Sequence, residues 1–172
     1  VWTKGGLVTY YVLFFMHVAT RKIHVAGVTP YPHEEWMIQT ARNVSMADIG
    51  FLARGWYLIH DRDSKYSPAF LETLKAVGIK DVTLPAQSPN LNAFAERWVR
   101  SVKEECLSEL ILFGEASLRR ALSQFESHFH HERPHQGKGN VILFPSSEEN
   151  DVGGRIRCRE RIGGLLKYYH RE

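Results

Sequence analysis

Several features are scarce in this sequence of 172 residues, and each scarcity excludes a class of protein. The two cysteines, Cys106 and Cys158, lie far apart and outside any C-x-x-C motif, which excludes a disulfide framework and a zinc ribbon. The longest strongly apolar run is the seven residues from Tyr10 to Met16, whereas a membrane span needs about 20. Because no signal peptide is visible, we expect a cytoplasmic protein that makes no membrane contact.

An excess of charge of one sign is also missing from the chain as a whole. The 22 Lys and Arg residues against 19 Asp and Glu leave a net charge of +3. The charge is unevenly spread, because residues 153–172 sum to +4 and residues 1–152 therefore sum to −1. With 44% hydrophobic and 24% charged residues, the composition is typical of a globular protein, and the length predicts one domain of roughly 100–200 residues.

Apolar periodicity and turn residues predict the order of the secondary-structure elements. We expect strands at 7–16, 23–29, 56–60 and 81–84 after a strand stub at 1–3, and helices at 33–46, 67–77, 92–106 and 117–131. The third of these strands is expected to be buried. Ser67 and Pro68 are typical of a helix start, and Gly78 of a helix stop. Strands followed by alternating helices and strands predict an α/β fold with a mixed sheet.

The charge distribution divides the chain into three predicted segments. Residues 1–140 form the main domain, residues 141–152 an acidic linker and residues 153–172 a basic C-terminal tail. Such a tail can contact phosphate groups non-specifically, or it can be a solvated segment without a ligand, and the sequence does not decide between the two.

Asp61 is the first candidate for chemistry, because it directly follows the short apolar strand at 56–60. Ligands of α/β sheets gather beyond the carboxyl ends of strands. One or two carboxylates with open positions for water and phosphate suit Mg²⁺. The alternative is that Asp61, Arg62 and Asp63 form only a solvated turn.

Glu96 is the second candidate, and it lies one turn beyond Asn92 on the predicted helix at 92–106. Glu96, Arg100 and Lys103 are spaced i, i+4 and i+7, which places a carboxylate and two cations on one helix face. Phosphodiester chemistry on a polyanion needs such an arrangement. An exposed helix laced with ion pairs has the same pattern, so this alternative stays open.

A histidine cluster at 128–135 offers a third possibility, a zinc site. His131 and His135 are four residues apart, but Pro134 between them disfavours a regular helical pair. Because the H-E-x-x-H pattern is also missing, we favour a helix end at which Arg133 and the histidines orient neighbouring groups or contact phosphate.

Three motifs, in order, resemble those of D,D,E-type transposases and retroviral-type integrases. The first motif is Leu58-Ile59-His60-Asp61-Arg62-Asp63-Ser64-Lys65-Tyr66, which resembles the family pattern H-[S/D]-D-R-G-S-x-[Y/F]. The second is Ser88-Pro89-Asn90-Leu91-Asn92-Ala93-Phe94-Ala95-Glu96, which resembles S-P-x-[D/N]-N-A-x-A-E. The third is His130-His131-Glu132-Arg133-Pro134-His135, which resembles Y-N-x-x-R-P-H. Glu96 follows Asp61 by 35 positions, which is close to the spacing in that family. The resemblance covers about residues 1–140 and is to the catalytic core of bacterial insertion-sequence transposases.

The resemblance implies an RNase H-like fold, with a mixed five-stranded sheet and helices on both faces. It implies phosphodiester hydrolysis and DNA strand transfer with two Mg²⁺ or Mn²⁺ ions and no organic cofactor. Asp61 and Glu96 would be catalytic and would hold the metal, with Asn92 in a supporting role. Arg100, Lys103 and Arg133 would contact DNA. The implied partners are element ends, target DNA and further copies of the chain.

The sequence also departs from the family pattern. The first catalytic aspartate of the family lies on the first strand, but the acidic residues before Asp61 are Glu34, Glu35 and Asp48, in a helical region. We therefore expect the first strand to be truncated, that aspartate to precede Val1, and this chain to lack strand transfer. The alternatives are a catalytically dead remnant that binds only DNA or intact relatives, and an RNase H-like nuclease. Asp63 stands where glycine is common and is expected to crowd the turn.

Overall fold

Helices and short strands alternate in the computed structural model, which describes residues 1–86, 89–145 and 154–171, with the backbone alone at 89 and 90. The helices are α1 Glu34–Val44, α2 Pro68–Ala76, α3 Ala93–Glu105 and α4 Gly114–His131. The strands are β1 Trp2–Thr3, β2 Gly6–Leu7, β3 Tyr11–Met16, β4 Ile23–Thr29, β5 Tyr57–His60, β6 Lys80–Thr83, β7 Pro134–His135, β8 Val141–Ile142, β9 Ile156–Arg161 and β10 Leu166–Arg171. The chain is therefore a mixed α/β protein, as its sequence pattern predicts.

The strands pair two by two. Strand β3 pairs with β4, and β5 pairs with β6 in parallel, while β1–β2, β7–β8 and β9–β10 are antiparallel pairs. Within the described part of the chain each named strand thus has one hydrogen-bonded neighbour, and the expected five-stranded sheet is not formed. Strand β5 is consequently less buried than expected, since Tyr57 is 63% and Ile59 46% exposed.

The contacts divide the chain into two compact units. The terminal unit consists of Val1–Val8, Phe14–Val25 and Arg97–Glu172, and the central unit of Thr9–Leu13 and Ala26–Glu96. No helix among the described residues is long and apolar enough to cross a bilayer.

In the central unit, α1 packs against α2, and both helices begin as the sequence predicts. Ser67 is the N-cap of α2, and its hydroxyl accepts a hydrogen bond from the backbone N–H of Phe70 at 3.3 Å. The same hydroxyl donates to Glu34 in the first turn of α1, at 2.7 Å. The buried side chains of this core come from both helices and the adjoining strands: Val28, Met37, Ala41, Val44, Phe70, Leu74, Ile79 and Leu84.

In the terminal unit, α3 and α4 supply most of the buried apolar side chains. The rings of Trp98 on α3 and Phe14 have centroids 4.3 Å apart. Cys106 is fully buried, with its thiol 3.9 Å from the carbonyl oxygen of Ala121, and burial raises the pKa of that thiol to about 11. A buried thiol of this kind acts as a small apolar side chain.

The basic segment at the C-terminal end forms an ordered hairpin of β9 and β10. Gly163 and Gly164 make its turn with positive φ angles of 65° and 90°, which glycine adopts without a steric penalty. Leu166 is buried, and Arg161 opposite it binds the buried Glu132 at the end of α4. Most of the expected acidic linker, residues 146–152, lies outside the described residues.

Candidate functional site

Asp61 lies directly after β5, as its sequence position predicts. Strands β5 and β6 are parallel, and the backbone N–H of Leu84 donates to the carbonyl oxygen of His60 at 2.8 Å. This bond continues the pairing beyond β6 and fixes the end of β5. Asp61 is exposed, so the paired end of β5 presents its carboxylate to solvent.

The turn after β5 orients the Asp61 carboxylate. Oδ1 of Asp61 accepts a hydrogen bond from the backbone N–H of Asp63 at 3.1 Å. A carboxylate has lone pairs on both oxygens, so the remaining sites can bind a cation. The carboxylate of Asp63 accepts two hydrogen bonds from Lys65, one from the backbone N–H at 2.9 Å and one from Nζ at 3.0 Å. These hydrogen bonds, chiefly the backbone one, lower the pKa of Asp63.

Two side chains beside Asp61 fasten this turn to the end of β6. The buried His60 donates from Nδ1 to the carbonyl oxygen of Asp61 at 2.7 Å, and its Nε2 lies 3.4 Å from the hydroxyl of Thr83. Arg62 donates from Nε to the carbonyl oxygen of Leu84 at 3.2 Å. The sequence motif contains both residues, but it did not reveal their contacts with Thr83 and Leu84, which lie more than twenty positions away.

The ring of Tyr66 packs against residues on either side of the same turn. Its ring lies 4.8 Å from that of His60 and 5.7 Å from that of Phe70, measured between centroids. Burial, together with the charges of Asp61 and Asp63, raises the pKa of Tyr66 to about 12. The phenol is therefore a neutral packing group near neutral pH.

Glu96 lies in the first turn of α3 and is exposed. A carboxylate at this position interacts favourably with the helix dipole. Asn92 is the last residue of the preceding short 3₁₀ turn, Pro89–Asn92, and is half-buried. Asp61, Asn92 and Glu96 belong to the same compact unit. Ser88, at the start of the second motif, lies outside the described residues.

Helix α3 presents Arg100 and Lys103 on its exposed side, while Trp98 and Val102 are buried. Neither Arg100 nor Lys103 forms an ion pair with any of the residues that the structure describes. The alternative of a helix face laced with ion pairs is therefore not supported at these two positions. Both cations remain available to an anionic ligand.

Arg133 follows α4 and holds α3 in place. Its Nη2 donates to Oε1 of Glu105, the last residue of α3, at 2.7 Å, and its guanidinium lies 5.9 Å from the ring centroid of Phe129. The pair joins residues 28 positions apart, so the sequence pattern did not reveal it. The predicted DNA contact of Arg133 would have to be made by a guanidinium that is already engaged.

The neighbouring histidines each have a structural partner. His130 accepts the backbone N–H of Ile23 at 2.8 Å, and burial is the main cause that lowers its pKa to about 4. His131 and His135 bind backbone carbonyls, and His128 donates to Glu132. Among the described residues no three His, Cys, Asp or Glu side chains form a metal-binding group. The zinc alternative has no support there.

Asp61 and Glu96 nevertheless have the chemistry that a hard divalent cation requires. Both are exposed carboxylates, and Asp61 has an oxygen left over after the turn is satisfied. Mg²⁺ is commonly held by one or two protein carboxylates, with water and phosphate in its other positions. Each of these carboxylates therefore has the oxygen-donor chemistry that Mg²⁺ or Mn²⁺ takes, although the two supply fewer ligands than an all-protein site.

Comparison with known families adds an independent finding. Residues 77–141 match the integrase core domain, a stretch that contains Glu96 but begins after Asp61. A search of curated proteins found no match. The family match supports an integrase or transposase catalytic core and implies an RNase H-like fold. The similarity is limited to this stretch, which is 65 of the 172 residues.

Proposed function

We propose that this chain is the catalytic core of a D,D,E-type recombinase of the bacterial insertion-sequence kind, which acts on DNA phosphodiester bonds. The observation that carries the proposal is the placement of Asp61. It follows β5 at a strand end tied to β6, and Glu96 follows it by 35 positions on α3, inside the stretch that matches an integrase core. Ligand sites of α/β proteins form beyond such strand ends.

In this proposal Asp61 and Glu96 hold Mg²⁺ or Mn²⁺, and two ions are expected in the complete site. Bound divalent ions polarise the phosphoryl oxygen and lower the pKa of water. The hydrogen bond that Oδ1 of Asp61 accepts from the backbone N–H of Asp63 keeps the Asp61 carboxylate oriented before a cation binds. Asn92 supports the site from the turn that precedes the Glu96 helix.

The DNA partner is proposed to lie along the exposed side of α3. Arg100 and Lys103 carry positive charges there, and neutralising phosphates with such cations releases counterions. Arg133 supports this surface by binding Glu105 at the end of the same helix. Because joining two element ends needs two active sites, we further propose that the functional form is a homo-oligomer.

This chain is proposed to bind metal and DNA without transferring strands. Its acidic residues before Asp61 are Glu34 and Glu35 in α1 and Asp48 after it, and all three are exposed and lie outside the strands. The second candidate is a remnant that binds only DNA or intact relatives. Titration of this chain with Mn²⁺ and with a DNA duplex, followed by a strand-transfer assay, separates the two. Binding of both Mn²⁺ and DNA without strand transfer supports the first, DNA binding without Mn²⁺ binding supports the second, and strand transfer by this chain contradicts both.

Metal binding tests the proposed site directly. Isothermal titration with Mn²⁺ should show an affinity that falls at least about tenfold in Asp61→Asn and in Glu96→Gln, since each removes a ligand charge. Asp48→Asn is the matched control, because Asp48 is exposed, has a positive φ of 66° and tolerates asparagine there. Equal affinity in all four proteins would refute the assignment of Asp61 and Glu96.

A further inference from the structure

Three positively charged side chains from separate segments of the terminal unit meet at one place. They are Arg21 in the turn between β3 and β4, Arg97 in the first part of α3, and Lys138 in the turn after β7, and we call them the basic cluster. Nζ of Lys138 donates to the carbonyl oxygen of Ala19 at 2.6 Å. Nη1 of Arg97 lies 3.7 Å from the position that a Cβ atom would take on Gly137. The two turns and the helix are therefore in contact.

Arg21 has an unusual backbone conformation for its residue type. Its φ of 64° lies in the left-handed region, where glycine and asparagine are favoured because other side chains crowd the following carbonyl. Its backbone N–H donates to the carbonyl oxygen of His17 at 2.8 Å, and its guanidinium donates to that of Val18. A strained position occupied by a charged residue points to a use for the side chain.

At two members of the basic cluster, Arg97 and Lys138, no residue that the structure describes neutralises the positive charge. Arg97 and Lys138 form no ion pair with any residue in 1–86, 89–145 or 154–171, and the bond from Lys138 goes to a neutral carbonyl. Burial and the charge of Arg97 lower the pKa of Arg21, so these two cations repel each other. A negatively charged ligand would relieve that repulsion.

The cluster is continuous with the proposed DNA surface of α3. Arg97 and Arg100 are three positions apart on this helix, and residues at that spacing are neighbours on a helix surface. Both are exposed, as is Lys103 one turn further along. The cations thus extend from the body of α3 to the turn between β3 and β4.

We propose that Arg21, Arg97 and Lys138 form a phosphate-binding surface that extends the DNA contact of α3 to the β3–β4 turn. This inference rests on the proposed function and adds three residues to it. The ligand is the phosphodiester backbone of duplex DNA, and the contacts are to phosphate oxygens, without base readout. Such contacts fix the position of a duplex and are independent of its sequence.

Fluorescence anisotropy of the full chain with a labelled DNA duplex tests the surface. Arg21→Asn, Arg97→Gln and Lys138→Gln should each reduce the slope of log K against log salt by about 0.9. Between about 50 and 200 mM salt, each lost contact accounts for about a 3.5-fold change in affinity. The reduction should be the same for two duplexes of unrelated sequence. Arg21→Asn should also leave the melting temperature unchanged or raise it, because asparagine suits the left-handed backbone.

The matched control is Arg120→Gln, which removes one exposed positive charge from α4 that has no ion pair with a described residue. It should leave the slope unchanged. If Arg100→Gln and Lys103→Gln reduce the slope while the three cluster variants do not, the cluster is refuted and the proposed function stands. If the unmodified chain binds no duplex at low salt, the proposed function fails together with the cluster. Tighter binding of duplex RNA than of duplex DNA overturns the ligand assignment.

Discussion

Glu132 offers the sharpest test of how the C-terminal hairpin is held. Its side chain is 0% exposed and accepts from Arg161 at 2.9 Å through Nε and at 2.7 Å through Nη2. Nδ1 of His128 donates to its second oxygen at 2.9 Å. Replacing Glu132 with glutamine keeps the size of the side chain but removes its negative charge, so the guanidinium of Arg161 would face a neutral amide. We expect the hairpin to lose most of its anchoring to α4.

The size of the loss follows from the carboxyl pKa. Burial alone would raise the pKa of Glu132, but the hydrogen bonds and charges of Arg161 and His128 outweigh it and lower the pKa from 4.5 to about 2. At about 1.4 kcal/mol per tenfold change in proton affinity, the preference for the charged form is about 3 kcal/mol. Removing one partner of a buried ion pair costs about 3–5 kcal/mol, which agrees.

The same pKa fixes how the effect depends on pH. Because the folded-state pKa lies below the ordinary value, the stabilisation is complete above about pH 4.5 and is lost as the pH falls towards about 2. Glu132→Gln should therefore lower the free energy of unfolding by about 3 kcal/mol near pH 7, and the gap to the unmodified chain should close between about pH 4.5 and pH 2.

Urea unfolding followed by circular dichroism over this pH range measures the gap. Glu115→Gln is the control, because Glu115 binds Arg119 at 2.7 Å on the exposed face of α4 and such surface pairs contribute less than about 1 kcal/mol. The reasoning would be refuted if Glu132→Gln lowered the free energy of unfolding near pH 7 no more than Glu115→Gln does. It would also be refuted if the difference in unfolding free energy between Glu132→Gln and the unmodified chain stayed constant down to about pH 2.

Two further predictions concern the central unit. Gly27→Ala should destabilise the protein by about 1–3 kcal/mol, because the new Cβ would lie 2.6 Å from Cζ2 of Trp36. Gly5→Ala is the control in thermal unfolding, because the nearest atom to its new Cβ is 3.9 Å away. Equal melting temperatures of the two variants would contradict this packing. Ser67→Ala should cost about 1 kcal/mol by removing the N-cap of α2, and Ser67→Asn should restore most of it. If Ser67→Ala left the chemical-denaturation midpoint unchanged, the N-cap would contribute nothing measurable to the free energy of unfolding.

The correspondence between sequence and structure is closest where the signals are local. The predicted helix at 33–46 is observed at Glu34–Val44, because its apolar spacing and its first-turn acids act within the helix itself. Ser67 and Pro68 start α2 for the same reason. Asp61 and Glu96 could be located from motif and strand pattern alone, since both follow signals only a few residues away.

The sequence by itself therefore determined the order of elements, the helix starts, the strand end that presents Asp61 and the helix that carries Glu96. The tertiary structure alone decided the pairing of strands two by two and the partners of Glu132 and Arg133. The two ion pairs join residues about 30 positions apart, and the strand pairing depends on how many neighbours a strand acquires. The hairpin at 156–171 is different, because Gly163 and Gly164 are a local turn signal that the prediction of a basic tail did not use. Hydrophobic period and turn chemistry act over a few residues, so they carry no information about which distant charge will be buried beside which.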